Sequence, residues 1–114
     1  MKNLVIILAV LLFISTAAFG QTQTEMNLSA CDSYKSVDKQ LNETYKKILI
    51  EYKEDTTFIK NLKTAQNIWI KLRDADLKAI FTPGELYGTV QPMCACGILE
   101  EVTKERLKFL KTWT

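Results

Sequence analysis

The chain has 114 residues, of which 47% are hydrophobic and 25% charged, with a formal net charge of +2 and no histidine. One domain fits this length, and the small, mixed charge does not indicate a nucleic-acid-binding protein. Without histidine the chain cannot form a Ser-His-Asp triad or an HExxH zinc site. Its 4 glycines and 2 prolines favour long regular elements with few turns.

The N-terminus has the layout of a secretory signal peptide. A lysine near the start is followed by an apolar run at 4–14 and by small residues up to Gly20. We predict cleavage after Gly20, so that 1–20 is the signal peptide and 21–114 is the mature domain. The apolar run is much shorter than the roughly 20 residues that a membrane-spanning helix needs. The sequence therefore predicts a periplasmic or secreted protein with no stable membrane span.

Apolar and aromatic residues recur every three or four positions after the signal peptide, and no segment alternates with a period of two. This spacing predicts helices at about 26–55, 57–81 and 96–113. The segment 82–92 contains proline and glycine and is the predicted loop between the last two helices. We expect an all-α fold, in which a long antiparallel helical hairpin carries a third helix packed on it.

Polar residues occupy several positions on the predicted packing faces. If the hairpin turns near residue 55, Asp38 faces Arg73, and Arg106 lies on the packing face of the third helix. Charges at such positions are costly unless they are paired. We predict a half-buried structural polar layer and favour it over a carboxylate-based active site. Its members are Asp38, Asn42, Tyr45, Gln66, Trp69, Arg73, Asp74, Thr103 and Arg106.

Three cysteines in an exported chain indicate a disulfide. In the predicted topology, Cys31, Cys94 and Cys96 lie at the same end of the bundle. We favour the Cys31–Cys96 pair over Cys31–Cys94, because Cys96 extends the apolar stripe of the third helix. Either pair leaves one free thiol. A soft-metal site at 93–96 and a lipidated Cys31 are the weaker interpretations, and we expect no cofactor, no metal and no lipoprotein.

The residues of the polar layer are distributed over three blocks of sequence. They are Asp38-x-x-Leu41-Asn42-x-x-Tyr45, Leu62-x-x-Ala65-Gln66-x-x-Trp69-x-x-x-Arg73-Asp74-Ala75 and Thr103-x-x-Arg106-x-x-x-Leu110. In this order and spacing they resemble the LprI-like lysozyme-inhibitor N-terminal domain family, over about 23–110. The resemblance implies a small exported helical domain of bacteria, with lysozyme or another cell-wall hydrolase as its partner.

The predicted loop is the candidate contact surface for such a partner. Glu85, Leu86 and Tyr87 offer a carboxylate and an aromatic side chain that can enter a cleft. The alternative function is a periplasmic structural or interaction module with no lysozyme activity. Such a module can form a homodimer through the free cysteine or through residual apolar surface. An enzyme is the least supported class, because no carboxylate can be assigned a perturbed pKa from the sequence. We therefore expect no enzymatic activity.

Overall fold

A computed structural model describes residues 22–81 and 91–114 of the chain. Within these ranges it contains three α-helices and one short 3-10 turn, with no strand. The elements are α1 (Gln23–Glu51), α2 (Thr56–Ile80), α3 (Gln91–Leu110) and the 3-10 turn Lys111–Trp113. The predicted all-α class and the number of helices are therefore confirmed.

Two predicted features lie outside the described residues. One is the signal peptide at 1–20 with its cleavage site after Gly20, and the other is the candidate contact of Glu85, Leu86 and Tyr87. Among the helices of the described ranges, none is both long and apolar enough to cross a membrane.

Side-chain caps begin the first two helices. The hydroxyl of Thr22 accepts a hydrogen bond from the backbone N–H of Glu25 at 3.2 Å. The carboxylate of Asp55 accepts one from the N–H of Phe58 at 3.0 Å. Each cap satisfies a backbone donor that has no partner inside its helix. Residues 52–54 form the turn before Asp55, so α1 ends before the predicted limit at 55.

The third helix starts at Gln91 rather than near residue 96. Pro92 indicates a loop when it is read from sequence, yet here it occupies the first turn of α3. The first N–H groups of a helix have no intrahelical partner, so the missing N–H of proline costs no hydrogen bond there. The helix therefore includes Cys94 and Cys96 in its opening turns.

The helices α1 and α3 run parallel to each other, and α2 runs antiparallel to both. A disulfide joins Cys31 to Cys96, with their Cα atoms 4.9 Å apart, and Cys94 is free. At the opposite end the hydroxyl of Tyr52 donates a hydrogen bond to the backbone carbonyl of Trp113 at 3.1 Å. The two contacts hold α3 along most of α1, and the favoured disulfide pairing is confirmed.

The hydrophobic core lies toward the end of the bundle where the hairpin turns. Its buried side chains are Val37, Leu41 and Ile48 of α1, Leu62 of α2, and Leu107 and Leu110 of α3. Ile48 and Leu110 have no solvent exposure, and burying each such side chain contributes about 1.5–3 kcal/mol. Phe58 packs beside this core, and the centroid of its ring lies 5.0 Å from the ring centroid of Tyr52 and 5.6 Å from that of Trp113. The three rings close the end of the bundle.

We expect Cys31→Ser to lower the free energy of unfolding by about 4 kcal/mol, because the bridge restricts a long loop of the unfolded chain. Its cysteines are 65 residues apart in sequence. Cys94→Ser, which removes the free thiol, is the matched control and should have little effect. Urea unfolding followed by circular dichroism measures both variants. Equal unfolding midpoints for the two would contradict this prediction.

Candidate functional site

A half-buried polar contact joins α2 to α3. The Nε of Arg106 donates a hydrogen bond to Oε1 of Gln66 at 2.9 Å, and Gln66 is only 5% exposed. Burial lowers the pKa of Arg106. Its Nη2 is buried without a hydrogen-bond partner in the described part of the chain, as is the hydroxyl of Thr103 one turn earlier. Since an unpaired buried donor is costly, Gln66 is the contact that makes this guanidinium tolerable.

Trp69 is the aromatic centre of the same region. The guanidinium carbons of Arg73 and Arg106 lie 5.3 Å and 5.9 Å from its ring centroid. Arg106 also lies 5.0 Å from the ring centroid of Phe109. Cation–π contacts of this kind contribute about 0.5–2 kcal/mol each, and more when they are desolvated. The indole therefore contacts cationic side chains from two different helices.

Arg73 links α2 to α1. Its Nε donates a hydrogen bond to Asp74 at 3.1 Å, and its Nη1 donates one to the hydroxyl of Tyr34 at 3.4 Å. Asp38, which the sequence places opposite Arg73, instead accepts a hydrogen bond from Asn42 of its own helix at 3.4 Å. Tyr34 precedes Asp38 by about one helical turn. The predicted register assumes a tightly packed hairpin, whereas these two helices meet here through long side chains.

Only part of the predicted polar layer forms one connected group. Its members form a chain of contacts from Gln66 to Arg106, from Arg106 to Trp69 and from Trp69 to Arg73. Tyr45 packs against the hydrophobic core instead, and Asn42 is exposed. Tyr34, which sequence analysis left out of the layer, supplies the contact from α1. Its tyrosine hydroxyl, one turn from Asp38, was the signal that could have placed it there.

An open groove of about 320 Å³ runs between the second half of α2 and α3. We call it the α2–α3 groove. It is lined by the apolar residues Trp69, Leu72, Leu77, Ile98, Val102 and Phe109, and by the charged residues Arg73, Asp76, Glu105 and Arg106. A second hollow of about 250 Å³, also lined by Arg106 and Phe109, continues toward Phe58 and Trp113. The groove is not evident from the sequence, because Phe109 fits the apolar stripe of its helix and is expected on the packing face.

The cysteine-rich start of α3 does not offer a pair of free thiols. Cys96 is oxidised, which removes one of the two thiolates that a soft metal ion would take from this segment. Within the described ranges, no group of three or more Cys, Asp or Glu side chains is arranged to hold a metal ion.

The sequence pattern of the family described as lysozyme inhibitor LprI matches residues 15–110. The chain belongs to this family. The match covers all three helices and every residue of the Gln66–Arg106–Trp69–Arg73 group, so the resemblance noted in the sequence is confirmed. An uncharacterised protein of Rhizobium meliloti is similar, with 29% identity over 103 residues that cover 79% of this chain and 72% of that protein. No solved structure matches the chain.

We predict that Gln66→Leu lowers the free energy of unfolding by about 1–3 kcal/mol, because it leaves the Nε of Arg106 without an acceptor. Asn67→Leu makes the same change at the next, exposed position of α2 and serves as the control. Thermal unfolding followed by circular dichroism compares them. A Gln66→Leu protein as stable as the Asn67→Leu protein would show that the hydrogen bond does not support the fold.

We also expect stability to fall at alkaline pH. Burial raises the pKa of Tyr34, with a smaller opposing effect from Arg73, and burial raises the pKa of Tyr45 above the ordinary value of 10.0. A tyrosine whose pKa is higher in the folded state than in the unfolded state stabilises the fold. This contribution is complete below a pH of about 10 and is lost as the pH rises through the folded-state pKa. Urea unfolding at neutral and alkaline pH should show a smaller alkaline loss for Tyr45→Phe than for the parent chain. An equal loss in both would contradict the assignment to Tyr45.

Proposed function

We propose that this chain is exported and that it binds and inhibits lysozyme or a related cell-wall hydrolase. The observation that carries the proposal is the match of residues 15–110 to the lysozyme inhibitor LprI family. The signal peptide expected at 1–20 supports export. Binding rather than catalysis is the proposed mode of action, because the chain has no histidine and the family is described by inhibition.

The proposed contact with the hydrolase is the loop 82–90, through Glu85, Leu86 and Tyr87. This segment connects the end of α2 to the start of α3, where the disulfide at Cys96 holds the helix against α1. Its α3 end is therefore anchored, and a segment anchored at one end loses less conformational freedom on binding than a free chain does. Tyrosine is a frequent anchor in interfaces, because it buries a large area with few rotatable bonds.

One observation favours a second candidate, an interaction module without lysozyme activity. The α2–α3 groove exposes Leu72 and Phe109, and apolar side chains grouped along a groove are typical of protein-binding surfaces. Such a module would bind its partner along the side of the bundle and would leave lysozyme fully active. The two candidates therefore differ in both the partner and the surface used.

The test is a titration of the exported, oxidised chain against lysozymes of several structural types, following cell-wall lysis and heat of binding together. We expect saturable inhibition at one-to-one stoichiometry. Tyr87→Ala should weaken inhibition about tenfold or more if this side chain is an anchor. Ile50→Ala, on an exposed position of α1, is the control and should inhibit like the parent chain.

The outcomes separate the parts of the proposal. No binding to any lysozyme would overturn the inhibitor function and favour the interaction module. Inhibition that survives Tyr87→Ala unchanged would keep the function and exclude the loop as its contact.

A further inference from the structure

The α2–α3 groove leaves apolar side chains uncovered on both of its walls. On the α2 side, Leu72 is 56% exposed. On the α3 side, Phe109 is 49% exposed. Single exposed apolar residues are ordinary on protein surfaces, but a group along one groove indicates a surface that is covered in use.

The uncovered surface begins where α2 leaves the core. The buried residues of α2 are Leu62 and Gln66, and both lie in its first half. From Trp69 onward, the described part of the helix has half-buried or exposed side chains only. An occupant of the groove must therefore be long enough to follow several helical turns, and it must present apolar side chains to both walls.

The charges in the groove are balanced in sign. Arg73 and Arg106 are positive, and Asp76 and Glu105 are negative. Arg73 is paired with Asp74 at 3.1 Å, whereas in the described part of the chain neither groove carboxylate forms an ion pair with Arg106. A strongly acidic or strongly basic partner would match only half of this pattern. A surface with the same mixture of apolar side chains, arginine and carboxylate would match all of it.

We propose that the occupant of the groove is a second copy of this chain, docked groove to groove about a two-fold axis. In such an interface the same patch serves both copies, so each contact occurs twice. Leu72 and Phe109 of one copy would pack against the groove walls of the other. The carboxylates of Asp76 and Glu105 would offset the positive charge of Arg106 in the second copy. The α2 and α3 helices of both copies then form a four-helix arrangement.

The test is the oligomeric state of the exported, oxidised chain with Cys94→Ser, a change that prevents a dimer made by a disulfide between copies. Sedimentation velocity over a wide range of protein concentration should show a reversible equilibrium between monomer and dimer. Leu72→Glu should weaken the dimer about tenfold or more, because it places a charge in the apolar contact. Ile50→Glu makes a matched change on α1, away from the groove, and should leave the dimer unchanged. Circular dichroism confirms that both variants keep their helices.

A monomer at every concentration would overturn the proposal. An equal loss of association in Leu72→Glu and Ile50→Glu would also overturn it, since the interface would then lie elsewhere. A monomer whose lysozyme inhibition is abolished by Leu72→Glu would assign the groove to the hydrolase instead. The equilibrium is measured without lysozyme, so the failure of the inhibitor function and the failure of the dimer are separate results.

Discussion

The disulfide between Cys31 and Cys96 is the constraint on which the arrangement depends, because it joins α3 to α1 near the first turns of both helices. Parallel helices cannot be joined by a tight turn, so the chain returns along α2 before it enters α3. With α1 and α3 aligned at the disulfide, Tyr52 meets Trp113 at the other end, and the core closes around Ile48. In a domain this small, covalent alignment of two helices compensates for a core of few buried side chains.

The helix α2 is held unevenly along its length. Its first half joins the core through Leu62, whereas beyond Gln66 its contacts are made by Trp69 and Arg73. Long cationic side chains can span a wider gap than aliphatic ones, because their apolar stems pack while their guanidinium groups reach a polar partner. A half-buried guanidinium at Arg106 gives little net stability, yet its hydrogen bond to Gln66 fixes how α2 sits against α3. The groove is the space that this polar attachment leaves open.

The limits of sequence reasoning follow from the same geometry. Helical periodicity and the shared end of the bundle were sufficient to predict the three helices and to favour Cys31–Cys96 over Cys31–Cys94. The partner of Arg73 was not predictable, because a register counted from the turn assumes that the two helices stay in close contact along their length. The groove was not predictable either, because the apolar pattern that includes Leu72 and Phe109 does not say whether another helix covers them. Pro92 permits a loop or a first helical turn, and only the packed structure decides between them.

The weak net charge limits how this chain can recognise a partner. Long-range attraction contributes little at a formal charge of +2, so affinity has to come from short-range contacts and from a low cost of ordering the surface. The two proposed surfaces meet this requirement differently. The segment 82–90 joins α3 close to the disulfide that holds this helix against α1, and the α2–α3 groove has walls set by the Gln66–Arg106 contact. The segment 82–90 and the groove share no lining residue, so each can be altered without changing the side chains of the other.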